Sequence, residues 1–171
     1  QFDSDGPVFA RLRRTSRNKE FLLYKFRSMV KNAEELKVAL AVYNERNDGP
    51  LFKMRDDPRV TRVGHWLRRT RLDEIPQLFN VLKGEMSIVG PRPERPEFIR
   101  DFRTTVPRYM LRHKIKAGIT GWAQVNGWRG DTSLQKRIQY DLYYIEHWSL
   151  GFDLRIMALT VVRGLVHKNA Y

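Results

Sequence analysis

The prolines in the stretch 76–93 constrain the fold more than any other feature, because they fix where a helix begins and where the backbone stays rigid. Pro76 suits the first turn of a helix, where a missing N–H costs nothing. Arg92 lies between two prolines, which restrict the backbone around its guanidinium. Asp73 and Glu74 come just before this predicted helix, and we expect Asp73 to be its N-cap.

Hydrophobic periodicity predicts one compact α/β (α+β) domain, mostly helical, with a short β-hairpin or small sheet. The helix after Pro76 has an apolar stripe formed by Ile75, Leu78, Phe79 and Leu82, and Gly84 ends that helix. The other predicted elements are strands at 7–12, 20–26 and 86–89, a basic hairpin loop at 13–19, a helix from Ser28 that ends at 47–50, helices at 63–67, 93–113 (broken near Pro107), 134–145 and 150–166, and a glycine-punctuated loop at 117–127.

Composition narrows the classes of partner. A chain of 171 residues fits one domain with a real core. Its net charge of +13 predicts anionic partners such as nucleotides, nucleic acid or phospholipid. The absence of cysteine excludes a disulfide framework and thiol chemistry. The longest apolar run, 156–162, is interrupted by Thr160 and is far shorter than the ~20 residues that cross a bilayer.

The two adjacent carboxylates can support phosphoryl transfer. Asp73 should stay ionised beside a helix end and near Arg69 and Arg71. An ionised, positioned aspartate can attack phosphorus, and Glu74 can hold Mg²⁺ together with substrate phosphate oxygens. The plainer alternative is that Asp73 only caps the helix and Glu74 is a first-turn charge.

Basic residues around this pair are candidate phosphate ligands. Arg92 can bind phosphate bidentately, unless it is an ordinary arginine in a turn. Lys25 and Arg27 alternate along a strand, so both should face the same side, either toward a substrate or toward solvent. Arg112 belongs to the basic run 108–116, which could line a nucleotide site, touch lipid headgroups or be plain surface charge.

Polar residues later in the chain are weaker candidates. Gln124, Asn126 and Arg129 lie in a loop that could read uracil or sugar hydroxyls. Asp141 interrupts a helical apolar stripe, which predicts pairing with an arginine near the site or a purely structural ion pair.

The run from Leu72 to Pro93 closely resembles the bacterial sugar transferases, the monotopic polyprenyl-phosphate phosphoglycosyl transferases. Further segments that fit this family in the right order are 6–9, 24–29, 55–61 and 118–121. The tail segments 126–130, 141–145 and 168–171 look most like the branch that loads glucose-1-phosphate.

The resemblance implies a reaction in which a UDP-sugar and undecaprenyl phosphate give undecaprenyl-diphospho-sugar and UMP, the first step of exopolysaccharide, capsule or O-antigen synthesis. Asp73 would attack the β-phosphate and carry the phosphosugar, while Glu74, with Asp73, would hold Mg²⁺. The expected phosphate ligands are Lys25, Arg27, Arg69, Arg92 and Arg112, and the expected nucleotide-sugar residues are Pro91, Gln124, Asn126, Arg129 and Asp141.

The resemblance also implies a place in the cell. Family members carry a hydrophobic re-entrant hairpin just before the segment that starts at Gly6, so we expect residues 1–171 to be the catalytic domain of a longer protein. We expect it to act at the cytoplasmic face of a bacterial inner membrane, on an anionic membrane surface, where oligomers are possible. The segment 150–166 could lie in the bilayer interface or form an ordinary core helix.

Two rival functions remain open. A basic nucleic-acid-binding module would suit the charge, but no RRM, KH, zinc-finger or helix-turn-helix pattern supports it, and we expect no nucleic acid partner. A non-catalytic scaffold of a glycan assembly complex is the other alternative.

Overall fold

A computed structural model describes residues 4–45, 52, 54, 56–129 and 132–166. For residues 164–166 it describes the backbone only. The described part confirms the predicted α/β class: short strands, two small sheets and a larger share of helix. The strands are β1 (Phe9–Ser16), β2 (Lys19–Phe26), β3 (Ser87–Val89) and β4 (Gly118–Thr120). The helices are α1 (Ala33–Ala39), α2 (Arg62–Thr70), α3 (Gln77–Leu82), α4 (Pro96–Thr105), α5 (Trp122–Val125), α6 (Leu134–Glu146) and α7 (Leu150–Val166). Three 3₁₀ turns lie at Ala41–Tyr43, Leu72–Glu74 and Tyr109–Lys114.

The strands β1 and β2 form an antiparallel hairpin that is longer than predicted. Pairing runs from Phe9 opposite Phe26 to Ser16 opposite Lys19, so the predicted basic loop at 13–19 is wrong. The turn consists of Arg17 and Asn18 alone, with φ of 48° and 60°. Two residues at positive φ match the twist of paired strands, which lets the hairpin close tightly. Arg13 and Arg14 of the supposed loop are therefore strand residues, and Arg17 lies in the turn.

The first helix begins later than predicted. Met29 forms an antiparallel bridge with Val60, and α1 starts only at Ala33, so the expectation of a helix from Ser28 is wrong at its start. Pairing with Val60 keeps the backbone extended where the apolar spacing suggested a helical turn. The predicted helix stop at 47–50 lies outside the described residues.

The carboxylate pair, Asp73 and Glu74, lies in a 3₁₀ turn rather than at a helix N-cap. Arg71 ends α2 in the left-handed conformation, with φ of 60°, and the turn Leu72–Glu74 follows. The α-helix α3 begins after Pro76, and Asp73 makes no capping bond, so the N-cap prediction is wrong. The left-handed residue redirects the chain before the helix can start, which leaves the Asp73 carboxylate available to side chains.

Helix α3 turns its apolar stripe outward. Its polar residues Gln77 and Asn80 are buried, whereas the predicted apolar stripe is exposed. This apolar face consists of Ile75, Leu78, Phe79 and Leu82, which are between 48% and 83% exposed.

The side chain of Asn80 explains the orientation of α3. It accepts a hydrogen bond from the backbone N–H of Tyr24 (3.0 Å) and donates to the carbonyl of Leu22 (2.8 Å) and to Glu85 (2.7 Å). The amide therefore bonds to β2 as a neighbouring strand would, and satisfying these buried backbone groups requires a polar side chain on the inner face of α3.

A parallel pair, β3 and β4, carries the chain from α3 toward the second half of the domain. Ser87 pairs with Gly118 and Val89 with Thr120. The predicted strand at 86–89 is confirmed, but the predicted loop at 117–127 contains β4 and α5. At Gly118 a Cβ would lie 2.1 Å from the backbone nitrogen of Gly90, so this close approach requires glycine.

Two apolar clusters hold the helices to this frame. Val89, Val125, Tyr144 and Ile156 form the first cluster, between β3, α5, α6 and α7. Tyr109, Ile138 and Leu142 form the second, against α4 and α6. The predicted helix at 93–113 is divided, because α4 ends at Thr105 and a 3₁₀ turn follows Pro107.

Helix α7 combines features of both alternatives that the sequence left open. Ile156 is fully buried in the first cluster, as in a core helix. Leu150, Leu154, Val161 and Val162 are exposed. Within the residues that the structure describes, no helix is both long and apolar enough to cross a membrane.

Replacing Asn80 by alanine should destabilise the fold strongly, because it leaves the backbone N–H of Tyr24 and the carbonyl of Leu22 without their partner. We expect a loss of about 2–4 kcal/mol in the free energy of unfolding, measured by urea denaturation. Gln135→Ala on the exposed surface of α6 is the control and should change stability by less than about 0.5 kcal/mol. Equal effects of the two variants would show that Asn80 is dispensable.

Candidate active site

Strand β2 and the 3₁₀ turn bring a lysine onto both carboxylates. The Lys25 Nζ lies 2.6 Å from the Glu74 Oε1 and 3.3 Å from the Asp73 Oδ2. Asn80 fixes β2 to α3 one residue before Lys25, so the lysine and the carboxylate pair belong to one rigid unit. Lys25 therefore lies beside the carboxylate pair, and its role as a phosphate ligand stays a prediction.

Arg92 reaches the same carboxylate pair from the loop between β3 and α4. Its guanidinium donates to both oxygens of Glu74, at 2.7 Å and 3.5 Å, and to the Gln124 Oε1 at 3.2 Å. Pro91 and Pro93 are buried on either side, and the carbonyl of Pro91 accepts a hydrogen bond from the Gly118 N–H (2.9 Å). The prolines therefore direct Arg92 toward Glu74, and Pro91 serves the loop through its backbone.

Charge keeps Glu74 ionised. Burial by itself would raise the pKa of its carboxyl group, but Arg92 and Lys25 together hold that pKa well below its ordinary value. The charge of Glu74 in turn raises the pKa of Arg92. Glu74 thus takes most of the cationic contacts, whereas Asp73 has Lys25 as its one ion-pair partner among the described residues.

A buried ion pair supports the loop of Arg92 from behind. Arg112 bonds to Asp141 (2.9 Å) and donates to the backbone carbonyl of Arg92 (3.0 Å), while Glu94 lies 3.6 Å away. Burial alone would lower the pKa of Arg112, but Asp141 and Glu94 raise it above its ordinary value. The Arg112 side chain is only 1% exposed, so the predicted direct contact with a substrate phosphate is not supported. Arg112 and Asp141 position Arg92.

The structure ties Arg27 to a different part of the chain. Its guanidinium donates to the carbonyls of Pro7 (2.7 Å) and Ser4 (2.8 Å), which precede β1. These bonds fasten the segment before β1 to the end of β2. The role of Arg27 in phosphate binding stays a prediction.

On α2, Arg68 and not Arg69 faces the carboxylates. Arg69 is exposed, and within the described parts of the chain it has no ion pair. Arg68 is partly buried and donates to the Ser28 hydroxyl (2.9 Å). Burial lowers the pKa of Arg68, and the nearby charge of Asp73 partly offsets this. The helical period could have found Arg68, because it lies one turn after the buried Gly64.

Arg71 and Arg129 complete the basic surroundings of Glu74. Burial lowers the pKa of Arg129 to about 10, helped by the charges of Arg71 and Arg92 and opposed by Glu74. Burial also lowers the pKa of Arg71. The charge of Glu74 opposes this shift, and the charge of Arg92 adds to it. Arg129 was a weak candidate from sequence, and Arg71 was not proposed as a ligand.

Of the other two loop candidates, the structure brings only one to the site. Gln124 accepts the hydrogen bond from Arg92 and donates to the Ile119 carbonyl (3.2 Å). Asn126, which follows the last residue of α5, instead donates to the Trp122 carbonyl (2.8 Å). Its side-chain oxygen accepts a hydrogen bond from Arg163 of α7. Its predicted contact with the nucleotide-sugar stays a prediction.

The site as a whole carries more positive than negative charge. The cations around the carboxylate pair are Lys25, Arg68, Arg71, Arg92 and Arg129. This surplus favours a ligand with several negative charges, and guanidinium groups are well shaped for phosphate.

The carboxylate pair also fits a magnesium ion. Mg²⁺ is usually held by one or two carboxylates together with substrate phosphate oxygens. The Asp73 Oδ1 carries no hydrogen bond within the described residues, and the Glu74 Oε2 has only the 3.5 Å contact with Arg92. Over the same residues, no three His, Cys, Asp or Glu side chains come together as a metal site. A cation here would therefore depend on oxygens of its substrate.

Comparison with known proteins gives a consistent picture. Residues 1–167 match the model of the bacterial sugar transferase family. The chain is 47% identical to the UDP-glucose:undecaprenyl-phosphate glucose-1-phosphate transferases of Escherichia coli (strain K12) and Xanthomonas campestris pv. campestris, over all of this chain. It is 42% identical to the UDP-N-acetylgalactosamine-undecaprenyl-phosphate N-acetylgalactosaminephosphotransferase of Aeromonas hydrophila, over 94% of this chain. The chain covers 35%, 34% and 36% of these relatives, about a third of their length.

The ion pairs of Glu74 should make stability depend on pH. An unfolded glutamate has a pKa of about 4.3, and in the folded protein the pKa of Glu74 is lower. The pairs therefore stabilise the protein above about pH 5, and this contribution is lost as the pH falls below about 4. We expect Glu74→Gln to lower the Tm at pH 7, and the difference from the original protein to shrink toward pH 3.

The control for this titration is Glu35→Gln on the exposed surface of α1, which should give a small difference at every pH. A Tm difference for Glu74→Gln that is the same at pH 3 and pH 7 would contradict the assignment.

Proposed function

The chain belongs to the bacterial sugar transferase family, and from this premise we propose that it transfers a sugar-1-phosphate from a UDP-sugar to undecaprenyl phosphate. The observation that carries the proposal is the arrangement of Lys25 and Arg92 on Glu74, which leaves the adjacent Asp73 lightly bonded. Such a site offers a carboxylate nucleophile within a surplus of positive charge. The reaction would start the assembly of a cell-surface polysaccharide.

In the first step of the proposed reaction, an oxygen of Asp73 attacks the β-phosphorus of the UDP-sugar. The new bond joins this oxygen to phosphorus, and the bond from phosphorus to the oxygen that bridges to the α-phosphate breaks. That oxygen leaves with UMP and keeps the electron pair. The sugar-phosphate is then held on Asp73 as an acyl phosphate, a mixed anhydride of the carboxylate and the phosphate.

In the second step, a phosphate oxygen of undecaprenyl phosphate attacks the phosphorus of this acyl phosphate. The bond between phosphorus and Asp73 breaks, and the carboxylate is restored. Dividing the transfer into two displacements means that the two anionic substrates never have to meet in one site.

The basic residues account for catalysis by charge. Negative charge builds on the transferring phosphoryl oxygens, and preorganised cations stabilise it in a site with limited water access. Lys25 contacts both carboxylates. Its ammonium group can therefore stay paired with a negative charge when Asp73 carries the sugar-phosphate. Arg92 is held by Pro91, Pro93 and Arg112, so it needs no reorganisation.

Magnesium is part of the proposal. Glu74, with Asp73, would hold the ion, which would neutralise the diphosphate of the donor when bound. The contacts of Glu74 with Lys25 and Arg92 keep it ionised, as a ligand for Mg²⁺ must be.

Glucose-1-phosphate is the proposed transferred group. The tail segments resemble the glucose-loading branch, and two of the relatives named above are called glucose-1-phosphate transferases. A less similar relative is named for N-acetylgalactosamine, so the sugar is a matter for direct test.

The exposed surface beside the site suits an anionic membrane. The apolar face of Ile75, Leu78, Phe79 and Leu82 begins directly after Glu74. Lys83 follows this face, and its Nζ lies 4.6 Å from the centre of the Tyr24 ring of β2. Apolar side chains flanked by lysine and aromatic residues are typical of surfaces that lie in a bilayer interface. We place this face on the cytoplasmic side of a bacterial inner membrane, where the lipid-linked acceptor would be reached.

The covalent step can be tested by intact mass. The protein at its full natural length is incubated with Mg²⁺ and UDP-glucose, UDP-galactose or UDP-N-acetylgalactosamine. With one of these donors we expect UMP release and an added mass of one sugar-phosphate, because Asp73 then carries that group. Asp73→Asn should show neither, since a neutral amide is a far weaker nucleophile.

The matched control is Asp101→Asn on the exposed surface of α4, which should keep the adduct. An adduct that persists in Asp73→Asn, or that maps to another residue, would refute the assigned nucleophile. Absence of both adduct and UMP with every donor in the original protein would refute the proposed reaction.

Membrane contact can be tested with vesicles that contain phosphatidylglycerol. Phe79→Ser and Leu82→Ser together should weaken binding by at least about tenfold, because each removes roughly 1–2 kcal/mol of apolar transfer free energy. Val42→Ser is the control, since Val42 is 82% exposed and Leu82 is 83% exposed. Sedimentation with vesicles measures the bound fraction, and equal losses in the control would argue against this face.

A further inference from the structure

A second group of arginines adjoins the site along strand β1. The outer edge of β1 forms an antiparallel bridge in which the Thr15 N–H donates to the Glu94 carbonyl (3.0 Å). This register brings Arg14 opposite Arg95, two residues after Pro93. Like charges in opposite positions of neighbouring strands repel each other. The arrangement therefore costs free energy unless an anion lies between them.

Within the described residues, neither arginine has a carboxylate partner. Arg14 is partly buried and donates to the carbonyl of Arg13 (2.7 Å), and Arg95 lies over the ring of Phe98 at 5.7 Å. Partly buried charges without a counter-ion are unfavourable. Both guanidinium groups thus keep donors that a ligand could use.

The nearest carboxylates do not neutralise this pair. Glu94 lies 3.6 Å from Arg112 and 3.7 Å from Arg137, in the buried network behind Arg92. Burial and the charges of Arg95 and Arg92 lower the pKa of Arg14 to about 10, although Glu94 and Glu97 act in the opposite direction. The positive charge is therefore in surplus here as well, and it continues from Arg92 to β1.

We propose that Arg14 and Arg95 form a second phosphate-binding subsite, which adjoins Arg92 and takes a terminal phosphate group. The inference rests on the proposed function, because it assigns part of a substrate to these residues. Two arginines in opposite positions of neighbouring strands can clamp one phosphate between them. The phosphate could belong to UMP, as the leaving half of the donor, or to the polyprenyl phosphate acceptor.

Direct binding can test the subsite without any turnover. We would titrate UMP, uridine and a water-soluble short-chain prenyl phosphate into the original protein and into Arg14→Ala and Arg95→Ala, by calorimetry. The matched control is Arg13→Ala, because Arg13 neighbours Arg14 but points to the other face of β1, where it pairs with Glu20 (2.5 Å). Circular dichroism confirms that each variant is folded. If Arg14→Ala does not fold, Arg14→Lys, which keeps the charge, takes its place.

We expect each alanine variant to raise the Kd of one phosphate ligand about tenfold, which corresponds to about 1.4 kcal/mol. The Kd of uridine should not change, and Arg13→Ala should leave every Kd as it is. Weaker binding of UMP alone would assign the subsite to the donor, and weaker binding of the prenyl phosphate alone would assign it to the acceptor. Unchanged binding of both, or equal losses in Arg13→Ala, would overturn the subsite. Either outcome is separate from the covalent adduct on Asp73, which tests the reaction itself.

Discussion

The contact between Arg92 and Glu74 is the interaction on which the site depends. It joins the loop after β3 to the turn after α2. Withdrawing an arginine and a glutamate from water costs free energy, which their mutual attraction offsets only when their geometry is good and further partners support them. The chain accordingly surrounds the pair with further support: Lys25 on the glutamate, and Arg112 with Asp141 behind the arginine. Removing any one of these leaves a charge without its counterpart.

The two carboxylates have different surroundings, although they are neighbours in sequence. Glu74 receives both cations at short distance, whereas Asp73, among the residues that the structure describes, receives only the longer contact from Lys25. A carboxylate that shares its charge with few donors is the better nucleophile, while a well-bonded carboxylate is the better structural and metal-binding group. Both carboxylates belong to the same 3₁₀ turn and contact Lys25, and Arg92 adds its bonds to Glu74.

The sequence predicts the chemistry of this site better than its architecture. Asp73, Glu74, Lys25 and Arg92 carry recognisable residue types in a tight motif, and the structure brings them together. The orientation of α3 could not be read from periodicity, because Asn80 bonds to the backbone of β2 more than fifty residues away. The burial of Arg112 depends likewise on Asp141 of α6. The bonds of Asn80 set which face of α3 is buried, and the hydrophobic pattern of α3 contains no sign of them. In α6 the interrupted apolar stripe does predict that Asp141 pairs with an arginine, but it does not identify Arg112.

The inverted helix α3 also connects the site to the proposed acceptor. A polyprenyl phosphate has a charged head and a long apolar chain, so an enzyme that uses it must offer positive charge and apolar surface side by side. Ile75 follows Glu74 directly, and Leu78, Phe79 and Leu82 continue outward from it. The buried amide of Asn80 turns this apolar face to the surface while it fixes Lys25 beside the carboxylates. One side chain thus sets both requirements, which explains why a polar residue occupies the inner face of a helix whose outer face is apolar.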